Sequence, residues 1–444
     1  MKAKKRTLAI FMGITLLAAG ITGLFFLPIF DWSKPEIVLT PDINTIGRSQ
    51  TFNTDFATRK SALKEIRITI AQNDKEQTLA DISYDTPETY SQEISLVFNP
   101  SQMELADGPA RLKITAKSFS WLRSKATLTR NIVIDLIPPQ IFLLNTANYI
   151  NPGGTCVALF QVSKPVTEVG VFVNETFFRA YPVTVSGKPC YLSYFAIPMS
   201  ANDRTPVIRA FARDMGNNET SVGIPFTLKK KRFRHDKLNI SDAFLQRNMP
   251  DFQAAFPELR DKSLIDTFRH INTVMRDDNF KTIQAICKQS QPEILWQGPF
   301  LRLKDSATMS LYGDYRSWLY RGQAVGESIH EGVDLASTAQ APVMAANSGL
   351  VVFTGNLGIY GETVIIDHGM EMISLYAHLS SIHVEKGHKV NKGDTIGNTG
   401  LTGLAGGDHL HFSIMIGGQF VNPVEWWDHR WISDNVTQKT NISF

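Results

Sequence analysis

Short runs in which apolar and polar residues alternate recur along this 444-residue chain, and they constrain its fold more than any other feature. A period of two sends successive side chains to opposite faces of a pleated strand, so each run predicts a strand with one face buried. Between about Pro35 and Ile137 the runs EIRITIA, EISLVF, ARLKITA and NIVIDLI are separated by Asp, Pro, Asn and Gly turns. Regular short strands with polar turns predict an antiparallel β-sandwich. The paired prolines of DLIPPQIFLL then favour an extended connector. Beyond them VTEVGVFVN, CYLSYFAIP and PVIRAFARDMGNNETSVGIPFTL mark a second sandwich, ending near Leu228.

Within that second sandwich the piece ARDMGNNE resembles the last hairpin of bacterial immunoglobulin-like domains, and both sandwiches are expected to be of that kind. The basic run KKKRFRHDK at 229–237 reads as a solvated linker. A net charge of +3 is too small to argue for a nucleic-acid partner, and none is expected. From Ser241 to about Gln289 apolar residues recur three and four apart, the spacing of helices, with Ser241 and Ser263 as N-caps. From Phe300 to Asp428 the chain returns to strands and Gly-rich turns.

The N-terminus carries Lys2, Lys4, Lys5 and Arg6, followed by no charge from Thr7 to Phe30. About 20 apolar residues cross the ~30 Å hydrocarbon layer as a helix, so residues 8–30 predict a transmembrane anchor. The basic flank stays cytoplasmic. That places the chain on the inner (cytoplasmic) membrane as a single-pass protein, with everything after Asp31 outside the cytoplasm, in the periplasm. A cleaved signal peptide is the rival reading, but its apolar region usually spans only about 7–15 residues. Three cysteines, Cys156, Cys190 and Cys287, are too few and too widely spaced for a cysteine-based metal site. Cys156 and Cys190 could pair within one β domain or remain buried thiols, and both readings stand open.

The expected organisation is therefore mainly β. It comprises a basic flank and membrane helix (1–32), a β-sandwich (33–137), a second β-sandwich (138–228), a basic linker and helical segment (229–299), an antiparallel-β catalytic domain (300–432) and a polar tail (433–444).

Eight of the ten histidines lie in the C-terminal region. His383, His388 and His429 sit among charged residues and turns and are expected at the surface, and His368 reads as a turn residue after the strand TVIID. Four remain. In SIHEGVDLAS, His330, Glu331 and Asp334 mimic a helical H-E-x-x-H motif, but Gly332 and Val333 favour a turn entering a strand. Glu331 is then no general base, whereas His330 and Asp334 can still converge on one ion as nitrogen and oxygen ligands. In DHLHFSIMI, Leu410, Phe412 and Ile414 share one face, and His409, His411 and Ser413 share the other. Same-face neighbours stand some 6–7 Å apart, close enough for one imidazole to bind a metal and the other to touch its water. His378 ends the strand ISLYAHL and, taken alone, reads as structural.

Taken together, these pieces resemble the lysostaphin-type (LytM-like) zinc metallopeptidases, which cut peptide cross-links in peptidoglycan. The resemblance rests on His330 and Asp334 four apart, YAHL with His378, and HLHF with His409 and His411, in that order. The framing stretches GVDLA, APVMAANSGLVV, YGETVIIDHG, VEKGHKVNKGDTIGNTGLTG and VNP also match, covering roughly Leu301 to Asp428. Glu331 replaces the family's common Pro and Ala341 its common Gly. The resemblance implies that His330, Asp334 and His411 hold Zn2+. It implies that His409 serves as general base, and that His378 orients the water or stabilises the oxyanion, with roles that could be exchanged. The implied protein is a membrane-anchored zinc endopeptidase acting on peptidoglycan stem peptides or cross-links. Residues 35–299 would position or cover its groove and offer a surface to other envelope proteins.

Three rival readings remain at this point. One is a non-catalytic relative that activates other cell-wall hydrolases, although such relatives typically lose ligands. Another is a two-His-one-carboxylate iron site on the same three residues. The third is a binding or structural protein whose β domains carry the function.

Overall fold

The computed structural model describes residues 12–20, 22–23, 33–120, 125–144 and 148–440. The transmembrane helix expected over residues 8–30 is not supported. Of that run, residues 12–20 and 22–23 are described as helical, and no helix among the described residues is long and apolar enough to cross a membrane. An uncharged run in a sequence limits what can enter a membrane without fixing how much of it is one helix. The rest of the run lies outside the described residues.

The chain divides into two compact units. The first comprises Met1–Pro139, Lys164–Thr167 and Arg213–Glu219. Its five-stranded sheet runs in the order Thr45–Ile46, Lys125–Ile134, Gly108–Ser118, Leu63–Gln72, Lys75–Ser83, and a three-stranded sheet is formed by Glu36–Thr40, Gln50–Ala57 and Ser91–Phe98. Alternation builds the core directly: Phe52 and Phe56 from one sheet meet Ile66, Ile68, Ile70, Leu112 and Ile114 from the other. The two outlying segments join this unit through Lys164, whose ammonium lies 2.7 Å from Asp135 and 2.6 Å from the buried Asp214. Asp214 also accepts from the backbone N–H groups of Gly216 and Asn218.

The second unit holds Gln140–Ser163, Glu168–Ala212 and Thr220–Phe444. A four-stranded sheet, Tyr181–Val185, Lys188–Ala196, Thr155–Val162, Ile141–Leu143, carries both sandwich cysteines. Cys156 is opposite Phe195, five positions along the partner strand from Cys190, and all three cysteines are buried free thiols. Antiparallel register thus answers what spacing left open. Ser241 caps the helix Asp242–Ala255 by accepting from Phe244 N–H, and Ser263 caps Leu264–His270 by accepting from Asp266 N–H. The second helix continues through Ile271–Met275 into Arg276–Cys287.

The C-terminal sheet is antiparallel. Its order is Ala307–Ser310, Val333–Ala336, Leu410–Ile416, Met372–Leu379, Glu362–Asp367, Gly349–Asn356, Lys389–Val390, with Gln419–Val421 also on Leu410–Ile416. Met372–Leu379 and Leu410–Ile416 are buried at every position. Earlier parts of the chain complete this region. His235–Ile240 pairs in parallel with Tyr315–Tyr320. Glu425 accepts from Asn151 Nδ2 at 3.0 Å and Thr155 N–H at 2.8 Å, and Trp426 Nε1–H donates to Thr155 Oγ1. The expected polar tail is helical through Thr440, with Val436 and Thr440 buried.

Candidate active site

Strand register gathers the histidines. His330 follows the strand Gln323–Ile329, and Asp334 lies in Val333–Ala336 directly opposite His411 of Leu410–Ile416. Ala377 faces His411 from the other side, so the next residue, His378, ends its strand beside the same point. His378 has φ +63°, a left-handed conformation costly for a residue with a Cβ and one that turns the ring off the sheet. Gly332 makes the convergence possible. A Cβ there would stand 2.4 Å from Ser413 Oγ and 2.7 Å from His411 Cε1, both too close for real atoms.

His330 Nε2 lies 2.9 Å from Asp334 Oδ1, His411 Nδ1 lies 2.9 Å from the same oxygen, and the two nitrogens are 3.0 Å apart. The outer nitrogens decide where the protons are. His330 Nδ1 faces the Leu311 carbonyl at 2.9 Å, and a carbonyl only accepts, so that nitrogen carries the hydrogen. Ser413 donates its hydroxyl to the Glu331 carbonyl and therefore accepts from His411 Nε2–H at 2.9 Å. Both rings then turn their inner nitrogens onto one carboxylate oxygen, and with the hydrogens kept on the outer nitrogens those inner nitrogens are available to a cation. Three donor lone pairs in mutual contact are what a cation site presents, with the outer nitrogens anchored as ligand histidines usually are. The set of two imidazoles and one carboxylate fits zinc and leaves a coordination position open.

His409 and His378 flank this trio. His409 Nδ1–H donates to the Gly407 carbonyl at 2.8 Å, leaving Nε2 3.5 Å from Asp334 Oδ1. His378 Nδ1–H donates to the Thr402 carbonyl at 2.8 Å, and its ring centroid is 4.8 Å from that of His409. The five side chains share a cavity of about 340 Å³.

Electrostatics separate the two flanking rings. Burial, reinforced by His409 and His411, pushes His378 down to about 3, so it is held neutral. Burial opposes charge on His409 too, but the hydrogen bond and charge of Asp334 outweigh it and raise the ring above its usual value. Burial likewise brings His411 down to about 4. Asp334 is held well below the carboxylate range, since the surrounding imidazoles overcome its burial.

The remaining candidates fall elsewhere. Glu331 is half-buried, and desolvation of its carboxyl pushes it up to about 7, against the pull of Arg276 and a Tyr360 hydrogen bond. It lines a separate cavity of about 230 Å³ and not the histidine chamber. His383, His388 and His429 are exposed. His368 follows the strand Glu362–Asp367 at the turn, as expected, but it is fully buried, bonded to the Ser348 carbonyl and to Ser374 Oγ, and packed against the Phe300 ring.

Several chamber residues carry no sequence signal. Asn239, Phe244 and Arg276 come from the segment before the domain, and Arg316 and Tyr360 come from within it. Arg316 places an Nη2–H 3.4 Å from Asp334 Oδ2 and another donor contact 2.7 Å from Ser310 Oγ. Arg247 donates to the Gly406 carbonyl at 3.0 Å, linking the helix Asp242–Ala255 to the loop that leads into His409.

Residues 328–423 match the family model described as Peptidase family M23. The segment is 43% identical over 96 residues to the DD-carboxypeptidase/endopeptidase Mpg of Neisseria meningitidis serogroup B, covering 22% of this chain and 22% of that protein. It is 41% identical over 96 residues to the peptidoglycan DD-endopeptidase ShyA of Vibrio cholerae, again covering 22% of each. The chain thus spans about a fifth of the length of these curated relatives. The catalytic domain of lysostaphin from Staphylococcus simulans is 29% identical, over 28% of this chain and 94% of that one, with a TM-score of 0.25. All five residues of the histidine and aspartate cluster lie inside the matched segment, and the C-terminal part of this chain is a peptidase family M23 domain.

Proposed function

We propose that this chain is a zinc-dependent endopeptidase that hydrolyses peptide bonds in peptidoglycan stem peptides or cross-links. The observation that carries this reading is the convergence of His330 Nε2, His411 Nδ1 and Asp334 Oδ1 on one point, with two further imidazoles on the same chamber. The name of the V. cholerae relative, a peptidoglycan DD-endopeptidase, supports the substrate class, and that of the N. meningitidis relative, a DD-carboxypeptidase/endopeptidase, supports the reaction type. Peptidoglycan lies outside the cytoplasm, and the domain is proposed to act there.

His330, Asp334 and His411 would hold the metal, which when bound supplies Lewis acidity and brings the pKa of water down towards about 7. His409 acts as general base. Its Nδ1–H is pinned on the Gly407 carbonyl, so Nε2 is free to take a proton from the attacking water, and Asp334 stabilises the imidazolium that forms. The proton then passes from Nε2 to the leaving amine. His378 is restricted further. With its hydrogen committed to the Thr402 carbonyl and its ring held neutral, its Nε2 can only accept, so it orients the water and does not donate to an oxyanion.

Digestion of purified sacculi by the full chain tests this reading. Muropeptides should be released with zinc, lost on chelation and restored by zinc. No release by metal-replete protein would overturn it.

A further inference from the structure

Arg276, at the start of the helical stretch Arg276–Cys287, lines the histidine chamber. Its Nε is buried with no hydrogen-bond partner, and the one contact of its fork is Nη2–H to Asn272 Oδ1 at 3.2 Å. Among the described residues no carboxylate forms an ion pair with it. Glu331 and Tyr360 act on it from farther away, and Arg316 opposes its charge. Arg316, on the strand Tyr315–Tyr320, lines the same chamber and reaches only one oxygen of Asp334, at 3.4 Å.

Shielding a guanidinium from water without an anion is costly, and placing a second one beside it adds repulsion. Such an arrangement is relieved when a ligand supplies the missing negative charge. A guanidinium presents a planar fork suited to carboxylate, and charge-assisted bonds of this type are among the stronger ones. Because the chamber is small, about 340 Å³, an anion held there is close to the bond being cut.

We propose that Arg276, with Arg316 beside it, is the binding subsite for a carboxylate of the substrate, so that the domain selects acidic peptides over otherwise identical neutral ones. This rests on the peptidase reading above. Arg276 is a specificity residue contributed by the segment that precedes the family-matched region, and relatives lacking that segment would lack this preference.

The test uses the full-length zinc-loaded protein and two synthetic stem peptides that differ only in carrying carboxylates or carboxamides beside the scissile bond. Wild type should favour the acidic peptide by roughly ten- to hundredfold in kcat/KM, chiefly through KM, as expected for a hydrogen-bonded charge. Arg276→Met should bring the ratio to near one, and Arg276→Lys should retain part of it. Equal rates on both peptides by wild type, or an undiminished ratio in a folded Arg276→Met protein, would overturn the subsite. Should neither peptide be cut, the enzyme reading fails, and equilibrium binding of the same two peptides to wild type still decides the subsite. A preference for the acidic peptide supports it, and equal affinity overturns it.

Discussion

His330 Nε2 and His411 Nδ1 stand 3.0 Å apart, each ring with its other nitrogen hydrogen-bonded on the opposite side. With the hydrogens on those outer nitrogens, two lone pairs at that distance repel unless a cation separates them. His411→Ala should therefore leave the purified protein without stoichiometric metal. His409→Ala should keep its metal and lose roughly 10²–10⁴ in turnover, the usual contribution of a general base. Elemental analysis alongside sacculus digestion distinguishes the two, and metal loss in both variants would contradict the assigned roles.

Ser413 sets the tautomer of His411 by donating to Glu331 and accepting from Nε2–H. Ser413→Ala removes that acceptor without touching the metal. Zinc affinity should fall roughly 10- to 100-fold, the range seen for partners of ligating histidines, as measured by competition with a chromophoric chelator. An unchanged affinity would mean that ring packing alone orients His411.

His368 supplies a pH dependence of stability away from the metal. Burial lowers its pKa to about 4 in the folded chain, against about 6.5 when unfolded. Above the unfolded value both states are neutral and the stability is fully present. As pH falls from about 6.5 towards 4 the unfolded state gains a proton that the folded state refuses, and stability declines by up to on the order of 3 kcal/mol before levelling off. His368→Gln should flatten that window in denaturant titrations at stepped pH, at some cost in stability at neutral pH.

Glu425 holds Asn151 and the Thr155 N–H from within the last part of the domain. Its removal in Glu425→Ala leaves a buried donor unsatisfied, a loss of about 1–3 kcal/mol. Calorimetry should show a lowered Tm, while the metal content stays that of wild type.

Much of this was legible in the sequence because strand alternation is a local property. HLHF places two imidazoles on one face through its period of two alone, and Gly332 followed by Val333 argues against a helix between His330 and Asp334. The rest depends on partners distant in the chain. His368 reads as a turn residue because neither Phe300 nor Ser374 is visible from its neighbours. Arg276 sits on a helix whose spacing marks it as one more polar residue, and only the fold brings it to the chamber that Tyr360 and Arg316 also line. The apolar N-terminal run carries the opposite lesson, since composition suggests a membrane helix there and no helix among the described residues is long and apolar enough to be one.

The parallel pairing of His235–Ile240 with Tyr315–Tyr320 bears on how this domain can be handled. A fragment cut at residue 300, where the C-terminal strands begin, would strip that strand away and leave a row of unpaired N–H and C=O groups along Tyr315–Tyr320. Bare edges of this kind recruit other chains. Such a fragment should self-associate as it is concentrated, and fragments meant to stay monomeric should begin upstream of His235.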